Sequence, residues 1–251
     1  MNNFFFFSFY SIAILISNSS DLIPGFEYKK INIKRYGKNI EIDIFKLNPD
    51  SIDVDIINVS DKKTIKEVLG QSDQENKYFL VCNAGMFNTD YKTNMGYMKR
   101  DGHVLNKREH PNYYSVLAFD PITKNLPGFY IYDTDDVSLD SIVKNYNSVV
   151  ENLRLIKRSR ENRWPEQKKR WVELAIGQDL DNNIIIIYCH NELSMFEFNN
   201  LILSLPINLS AAQHLEGNAS AQLYFSFKNH KVDLDNGIFV PNLLGFKMRK
   251  F

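Results

Sequence analysis

The chain has 251 residues, of which 44% are hydrophobic and 13% aromatic, enough apolar material for a packed core and enough to exclude general disorder. Thirty Lys and Arg balance thirty Asp and Glu, so no global charge draws the chain to nucleic acid or an anionic membrane. Two cysteines, Cys82 and Cys189, are too few for a disulfide scaffold or a multi-cysteine zinc site and read as buried thiols on strands.

Residues 1–20 carry no charged side chain, and Phe4 to Ile16 are nearly all apolar. That run is shorter than the ~18 residues a membrane span needs, but it matches the core of a secretory signal. The expectation is an export signal or hydrophobic anchor over 1–20, giving a periplasmic or extracellular protein that the same segment could attach to a membrane. A hydrophobic first strand is the other reading. Residues 21–251 show no repeat, no low-complexity linker and no Pro/Gly-rich hinge, so they are expected to form one domain.

In chain order, alternation at Lys30–Arg35 and Ile40–Leu47 around Gly37 predicts a hairpin, and Ile52–Asn58 a further strand. Ser60-Asp61 is expected to cap a helix running to about Leu69. Tyr78–Cys82 reads as a buried strand ending in Asn83-Ala84-Gly85. Strands follow at Met98–Leu105 (turning at Asp101-Gly102), Tyr114–Phe119 and Phe129–Tyr132, then a helix from Ser138 to about Tyr146. Trp171–Gln178 and Ile184–Cys189 flank Asp181-Asn182-Asn183, a hairpin signal. Ser194 and Glu197 make a capping box ahead of Phe198, Leu201, Ile202 and Leu205 at helical spacing, and Pro206 ends that helix. Ala211–Leu215 and Gln222–Phe227 complete the strands. Hairpins with few crossover helices predict an α+β fold of mixed, largely antiparallel sheets.

Two strand-to-loop junctions could carry chemistry. At the first, Asn83 enters a tight turn where Gly85 would permit a positive φ or close approach of a ligand. At the second, Glu216-Gly217-Asn218-Ala219-Ser220 sets a carboxylate, a flexible turn and a hydroxyl at a strand end, a pattern suited to acid, base or nucleophile chemistry. The bland reading of each is a strand followed by a glycine turn, with Asn83 bonding its own backbone. Residues 154–170 hold eight Lys or Arg, either a solvated face or a positive rim, and Trp164 within them could stack on a sugar. His214 reads as a packing residue rather than a metal ligand, and His190 and His230 are too scattered to form a site.

Together and in order, these segments resemble the phosphodiester glycosidase family, which pairs N-A-G-x-F with a later L-D-G-G-x-S leading into a strand. Asn83-Ala84-Gly85-Met86-Phe87 matches the first segment, and Leu215-Glu216-Gly217-Asn218-Ala219-Ser220, continuing to Ala221-Gln222-Leu223-Tyr224, resembles the second. Ala175-Ile176-Gly177 answers to the family's A-I-G strand, and the similarity covers roughly 78–227. Glu216 stands where the family has Asp, Asn218 where it has Gly, and Glu173 where it usually has Arg; Arg170 is the nearest guanidinium.

The resemblance implies hydrolysis of a sugar-1-phosphodiester on a phosphorylated glycan or envelope glycopolymer. Glu216 would be the acid/base or nucleophilic group, Arg170 would neutralise phosphate, and Asn83 would bind a sugar or phosphate oxygen. Gly85, Gly217, Asn218 and Ser220 would complete the cradle, with Trp164 against the sugar. A second carboxylate is expected for glycoside hydrolysis, with Asp90, Asp101 and Asp179 as candidates. No cofactor is expected, and a metal is left open. The expected partner is a carbohydrate or sugar phosphate rather than nucleic acid. The competing reading is a glycan-binding or envelope protein that keeps the fold without turnover.

Overall fold

A computed structural model describes residues 14–59, 61–71 and 77–249. Of the expected N-terminal segment, residues 1–13 lie outside the described residues, and 14–20 fall within the first strand. No helix among the described residues is long and apolar enough to cross a membrane.

Strands Ile14–Ile23 (β1), Phe26–Arg35 (β2) and Lys38–Leu47 (β3) form an antiparallel meander. Arg35 pairs with Lys38, and between them Tyr36 and Gly37 take φ of 51° and 72°, the left-handed pair of a type I′ turn. Ile52–Asn58 (β4) precedes helix Ile65–Leu69 (α1). Its cap is Thr64 rather than Ser60-Asp61, because Thr64 and Glu67 complete a reciprocal capping box: the Glu67 N–H donates to Thr64 Oγ1 (3.3 Å) and the Thr64 N–H to Glu67 Oε2 (2.8 Å). Leu80–Asn83 (β5) is followed by Met98–Arg100 (β6) and His103–Asn106 (β7), which turn through Asp101 and Gly102 as the sequence predicts. Ser115–Pro121 (β8) pairs with Phe129–Asp133 (β9), and Ser138 caps helix Leu139–Asn145 (α2).

Tyr146–Asn152 (β10), Arg154–Lys157 (β11) and Glu161–Asn162 (β12) are short strands that the sequence reading does not foresee. Trp171–Asp179 (β13) and Ile184–Leu193 (β14) make the expected hairpin, closed by Asp179, whose carboxylate accepts the N–H groups of Asp181 (2.9 Å) and Asn183 (2.8 Å). Helix Met195–Ser204 (α3) carries the Ser194–Glu197 capping box. Leu209–Gly217 (β15), a 3-10 turn at Asn218–Ser220, Leu223–Phe227 (β16), His230–Asp233 (β17) and Asn242–Met248 (β18) complete the chain.

One sheet of eight strands runs β1-β2-β3-β14-β13-β15-β11-β12, and two of five run β7-β6-β10-β8-β9 and β17-β16-β5-β18-β4. The expected α+β balance and mixed pairing are corrected in degree. Eighteen strands stand against three α-helices, and no parallel pair occurs among the described residues.

The inner faces of all three sheets press on one core that includes Phe45, Leu80, Cys82, Leu117, Val150, Ile186, Leu215, Phe225 and Phe246. Each outer face is then covered by one helix: α3 over the large sheet, α1 over the sheet holding β5, and α2 over the sheet holding β10. This two-sided burial explains the unbroken apolar run in β14, where Ile184, Ile186 and Tyr188 face the shared core while Ile185, Ile187 and Cys189 face α3. Both thiols are buried, and burial pushes the Cys189 thiol up to about 12.

Ile186→Ala and Ile187→Ala should each destabilise the fold by about 2–5 kcal/mol, since both faces of β14 are closed. Urea denaturation would check this; a near-neutral result at Ile187 would mean that α3 does not seal the outer face.

Candidate active site

The ends of β5, β10 and β15, one from each sheet, meet at one edge of the shared core. Glu216, next to last on β15, spans the junction. Its Oε1 accepts the Phe87 N–H (3.3 Å), which lies beyond β5, and its Oε2 accepts the Gly217 N–H (3.0 Å). Asn83, last on β5, accepts the Gln222 N–H on Oδ1 (2.7 Å), which ties β5 to the start of β16. Asn83 therefore bridges two strands rather than bonding its own turn. Its buried Nδ2 has no partner among the described residues. Asn152, last on β10, donates from Nδ2 to the Ala84 carbonyl (2.9 Å), while its Oδ1 is likewise buried without a partner. One free amide donor and one free amide acceptor thus flank the Asn83-Ala84-Gly85 turn.

Register explains what lies behind Glu216. Leu174 on β13 pairs with Glu216 and Ala175 with His214, so a bulge at Leu215 breaks strict alternation. His214 and Glu173 then meet on the outer side of the sheet, where the imidazole Nδ1 bonds the Glu173 carboxylate. The Trp171 indole N–H donates to the other Glu173 oxygen (2.8 Å). Glu173 and His214 are only 1% and 4% exposed. Burial alone would lower the His214 pKa, but the charge and hydrogen bond of Glu173 outweigh it, Glu216 adds to them, and the net shift is upward. Glu216 is itself pushed up by burial, opposed first by the charge of His214 and then by the two backbone donors.

A further carboxylate comes from β10. Glu151, 2% exposed, accepts the N–H groups of Tyr97 (2.8 Å) and His110 (3.1 Å) and borders a cavity of about 300 Å³ with Tyr113 and His110. Burial raises the Glu151 pKa, and the Tyr113 phenol, raised first by burial, lies within electrostatic reach of both Glu216 and Glu151. Sequence reasoning missed Glu151. The available signal was a charged residue inside the run Val149-Val150-Glu151-Asn152, which a solvated strand end does not require. The three carboxylates named from sequence lie elsewhere. Asp90 is exposed and holds Lys92 and Thr93 of its own turn, Asp101 forms the β6–β7 turn, and Asp179 closes the β13–β14 hairpin. A larger cavity, about 910 Å³, lies at the other end of β5 against Tyr78, Phe79 and Phe227, where Lys247 is already paired with Asp55.

Gly217, Asn218 and Ser220 lie on the short connection from Glu216 to Gln222 and so remain at the junction. Asn218 sits at φ 52° and its Oδ1 accepts the Val172 N–H (3.2 Å). The half-buried Ser220 follows in the same turn, pinned by Asn236 Nδ2 to the carbonyls of Ala219 (3.1 Å) and Ala221 (3.3 Å). Arg170 and Trp164 are not brought to this junction. Arg170 makes a bidentate pair with Glu197 at the start of α3 (2.9 and 2.6 Å), which pushes the Glu197 carboxyl down to about 2. Trp164 is half-buried against the core beneath α3 and donates its indole N–H to the Arg154 carbonyl (2.8 Å).

Part of the basic stretch 154–170 is taken up in ion pairs. Arg154 and Lys157 pair with Asp133, Asp135 and Asp136, while Arg158 bonds Gln178 and stacks on Tyr130. Gly85 needs no positive φ. It is glycine because a Cβ there would lie 2.2 Å from Asn152 Oδ1. Gly85→Ala should therefore displace Asn152 and cost about 1–3 kcal/mol; thermal unfolding at unchanged stability would contradict this contact.

The sequence profile of the phosphodiester glycosidase family (NAGPA) matches residues 76–247. Among solved structures, the chain is similar to a hypothetical protein from Synechocystis, with 12% identity, TM-score 0.63, and coverage of 95% of this chain and 68% of that one. It is also similar to the zebrafish N-acetylglucosamine-1-phosphodiester alpha-N-acetylglucosaminidase catalytic domain auto-inhibited by its pro-peptide, with 14% identity, TM-score 0.61, and coverage of 95% and 83%. At such identities these two likenesses bear on the fold. No curated protein sequence matches the chain. With the profile spanning both the Asn83 turn and the Glu216 turn, the chain belongs to the phosphodiester glycosidase family.

Proposed function

We propose that this protein hydrolyses a sugar-1-phosphodiester, with Glu216 as the reacting carboxylate. The observation that carries the reading is the seating of Glu216: a carboxylate at the family's motif, with each oxygen fixed by a backbone N–H from a different strand end. In the reaction the bond from the anomeric carbon to the phosphate oxygen breaks, and the bonding pair leaves with a phosphomonoester. Water supplies the hydroxyl of the released sugar, and its proton is lost to a base. The phosphomonoester dianion that leaves is the conjugate base of an acid of pKa about 6, a far weaker base than an alkoxide, and needs little protonation. The main demand is stabilisation of positive charge developing at the anomeric carbon, which an ionised, prepositioned carboxylate meets by charge or by attack. Burial pushes the Glu216 carboxyl up, and the charge of His214 with two N–H donors holds that rise in check.

Glu151 is the better-placed second carboxylate, since it shares Tyr113 with Glu216. We place the substrate among phosphorylated glycans or envelope glycopolymers met after export. A binding protein without turnover is the second reading, favoured by Glu216 and Asn218 standing where the family has Asp and Gly.

Glu216→Gln keeps the shape of the side chain and removes its charge. Hydrolysis of a sugar-1-phosphodiester should fall by about 100-fold or more, with substrate affinity changed far less. Equal turnover in the parent and Glu216→Gln would refute the assignment. Retained affinity without turnover in the parent would establish the binding reading.

A further inference from the structure

Glu151, Glu173 and Glu216 place three carboxylates at one edge of the core, the first two buried and Glu216 half-buried. An anionic phosphodiester approaching them would meet like charge in a medium that screens it poorly. A cation is required, and Arg170 is committed to Glu197. The cation that acts most on Glu216 is His214.

We propose that His214, gripped from behind by Glu173, is the built-in cation of the site: a positioning residue that acts through Glu216 and makes the cleft receptive to a phosphate-bearing sugar. The inference rests on the sugar-1-phosphodiester reading above and deepens it. Its geometry is specific. Nδ1 of the ring bonds Glu173, and Trp171 holds the second Glu173 oxygen, so the carboxylate cannot turn away. The His214 N–H donates to the Leu153 carbonyl (2.8 Å), which fixes the backbone on β15. Gly217 lies over the ring: a Cβ there would stand 3.6 Å from His214 Cε1 and 3.4 Å from Trp171 Cδ1. The imidazole thus sits directly beneath the turn that carries the motif.

The surrounding charges leave His214 to this role. From β13 it faces Glu173 and from β15 Glu216, and neither carboxylate has a Lys or Arg bound to it. On β11, Arg154 directs its guanidinium to Asp133 and Asp135. On α3, Glu197 is taken by Arg170, and Lys169, just before β13, stands over the Trp171 ring 5.3 Å from its centroid. The sign follows. The folded pKa of His214 is raised, so the cation persists above the pH at which a free histidine loses it and disappears as pH rises through that raised value. Anion binding should weaken over the same range. Protonation of Glu216 at low pH removes a negative charge and leaves anion binding intact while stopping turnover.

Two readouts test the proposal. The first needs no ligand: the His214 Cε1–H resonance, identified by its loss in His214→Gln, is followed against pH by NMR. It should titrate above the ordinary histidine value of about 6.5 in the parent and fall back in Glu173→Gln. Titration below 6.5 in the parent, or an unchanged titration in Glu173→Gln, overturns the proposal. The second measures affinity for N-acetylglucosamine 1-phosphate by calorimetry. In the parent it should drop about tenfold per pH unit above the His214 midpoint, and in Glu173→Gln the drop should begin at lower pH. A parent that never binds the probe while His214 is charged, or one whose affinity ignores the His214 midpoint, also overturns it. Failure of the two readings is distinguishable. A parent that binds with this profile but never turns over loses the hydrolase reading alone, and turnover with a pH profile untouched by Glu173→Gln loses the His214 role alone.

Discussion

Because the three sheets share one apolar core, none of their central strands can shift without opening it, and the polar residues that end those strands are drawn to its edge. The helices reinforce this from outside. Each closes the outer face of one sheet, so every central strand is held on both sides. Asn83, Asn152 and Glu216 come from three separate sheets, yet one hydrogen bond from Phe87 and one close contact at Gly85 suffice to join them. The site is consequently rigid by construction, with its side chains rooted on strands rather than on long loops.

That placement has an electrostatic cost. Carboxylates at the edge of a dry core lose hydration, and each must recover it from fixed donors or opposite charge. Glu151 recovers it from two backbone N–H groups, Glu173 from an imidazole and an indole, and Glu216 from two backbone N–H groups with His214 behind it. None of the three uses Lys or Arg. The basic side chains nearby are absorbed instead in pairs with Asp133, Asp135, Asp136 and Glu197, which pin β11 and α3. On one side of the junction the exposed Lys169 stands 5.3 Å from the centroid of the Trp171 ring that holds Glu173.

Local pattern in the sequence was a good guide wherever local chemistry decides structure. The turn at Asp101-Gly102, the Ser194–Glu197 box and the alternating strands β3 and β13 are legible because left-handed turns, caps and pleats constrain nearby residue types. It was a poor guide where distant partners decide. β10 follows α2 without a break and is a strand because it pairs with β6 and β8, and β11 is one because Arg154 and Lys157 meet Asp133 and Asp135 and because it finds β15. β18 contains Gly245, which weakens a strand signal, yet the glycine is needed because the Tyr78 ring would lie 2.7 Å from a Cβ there. In the site, the two turns were readable as motifs. Glu151 and the Glu173–His214 pair were not, since their meaning lies in burial and in cross-strand register.

The departures from the family's motif make sense when taken together. Asn218 replaces a glycine at φ 52°, and Asn is among the few other residues that accept the left-handed region at low cost. Its side chain adds a bond to Val172 N that glycine could not make, which fastens the turn to β13. Glu216 is one methylene longer than Asp, and the extra length is used: one oxygen turns back to its own neighbour Gly217 while the other reaches Phe87 beyond β5. Glu173, where an arginine is usual, would be an unpaired buried charge were His214 not beside it, and His214 would be driven neutral by burial were Glu173 not there. Each substituted side chain therefore has its own partner within the same junction. Through these bonds the turn is tied to β13 and to the segment beyond β5, so the altered residues hold the junction together as a set.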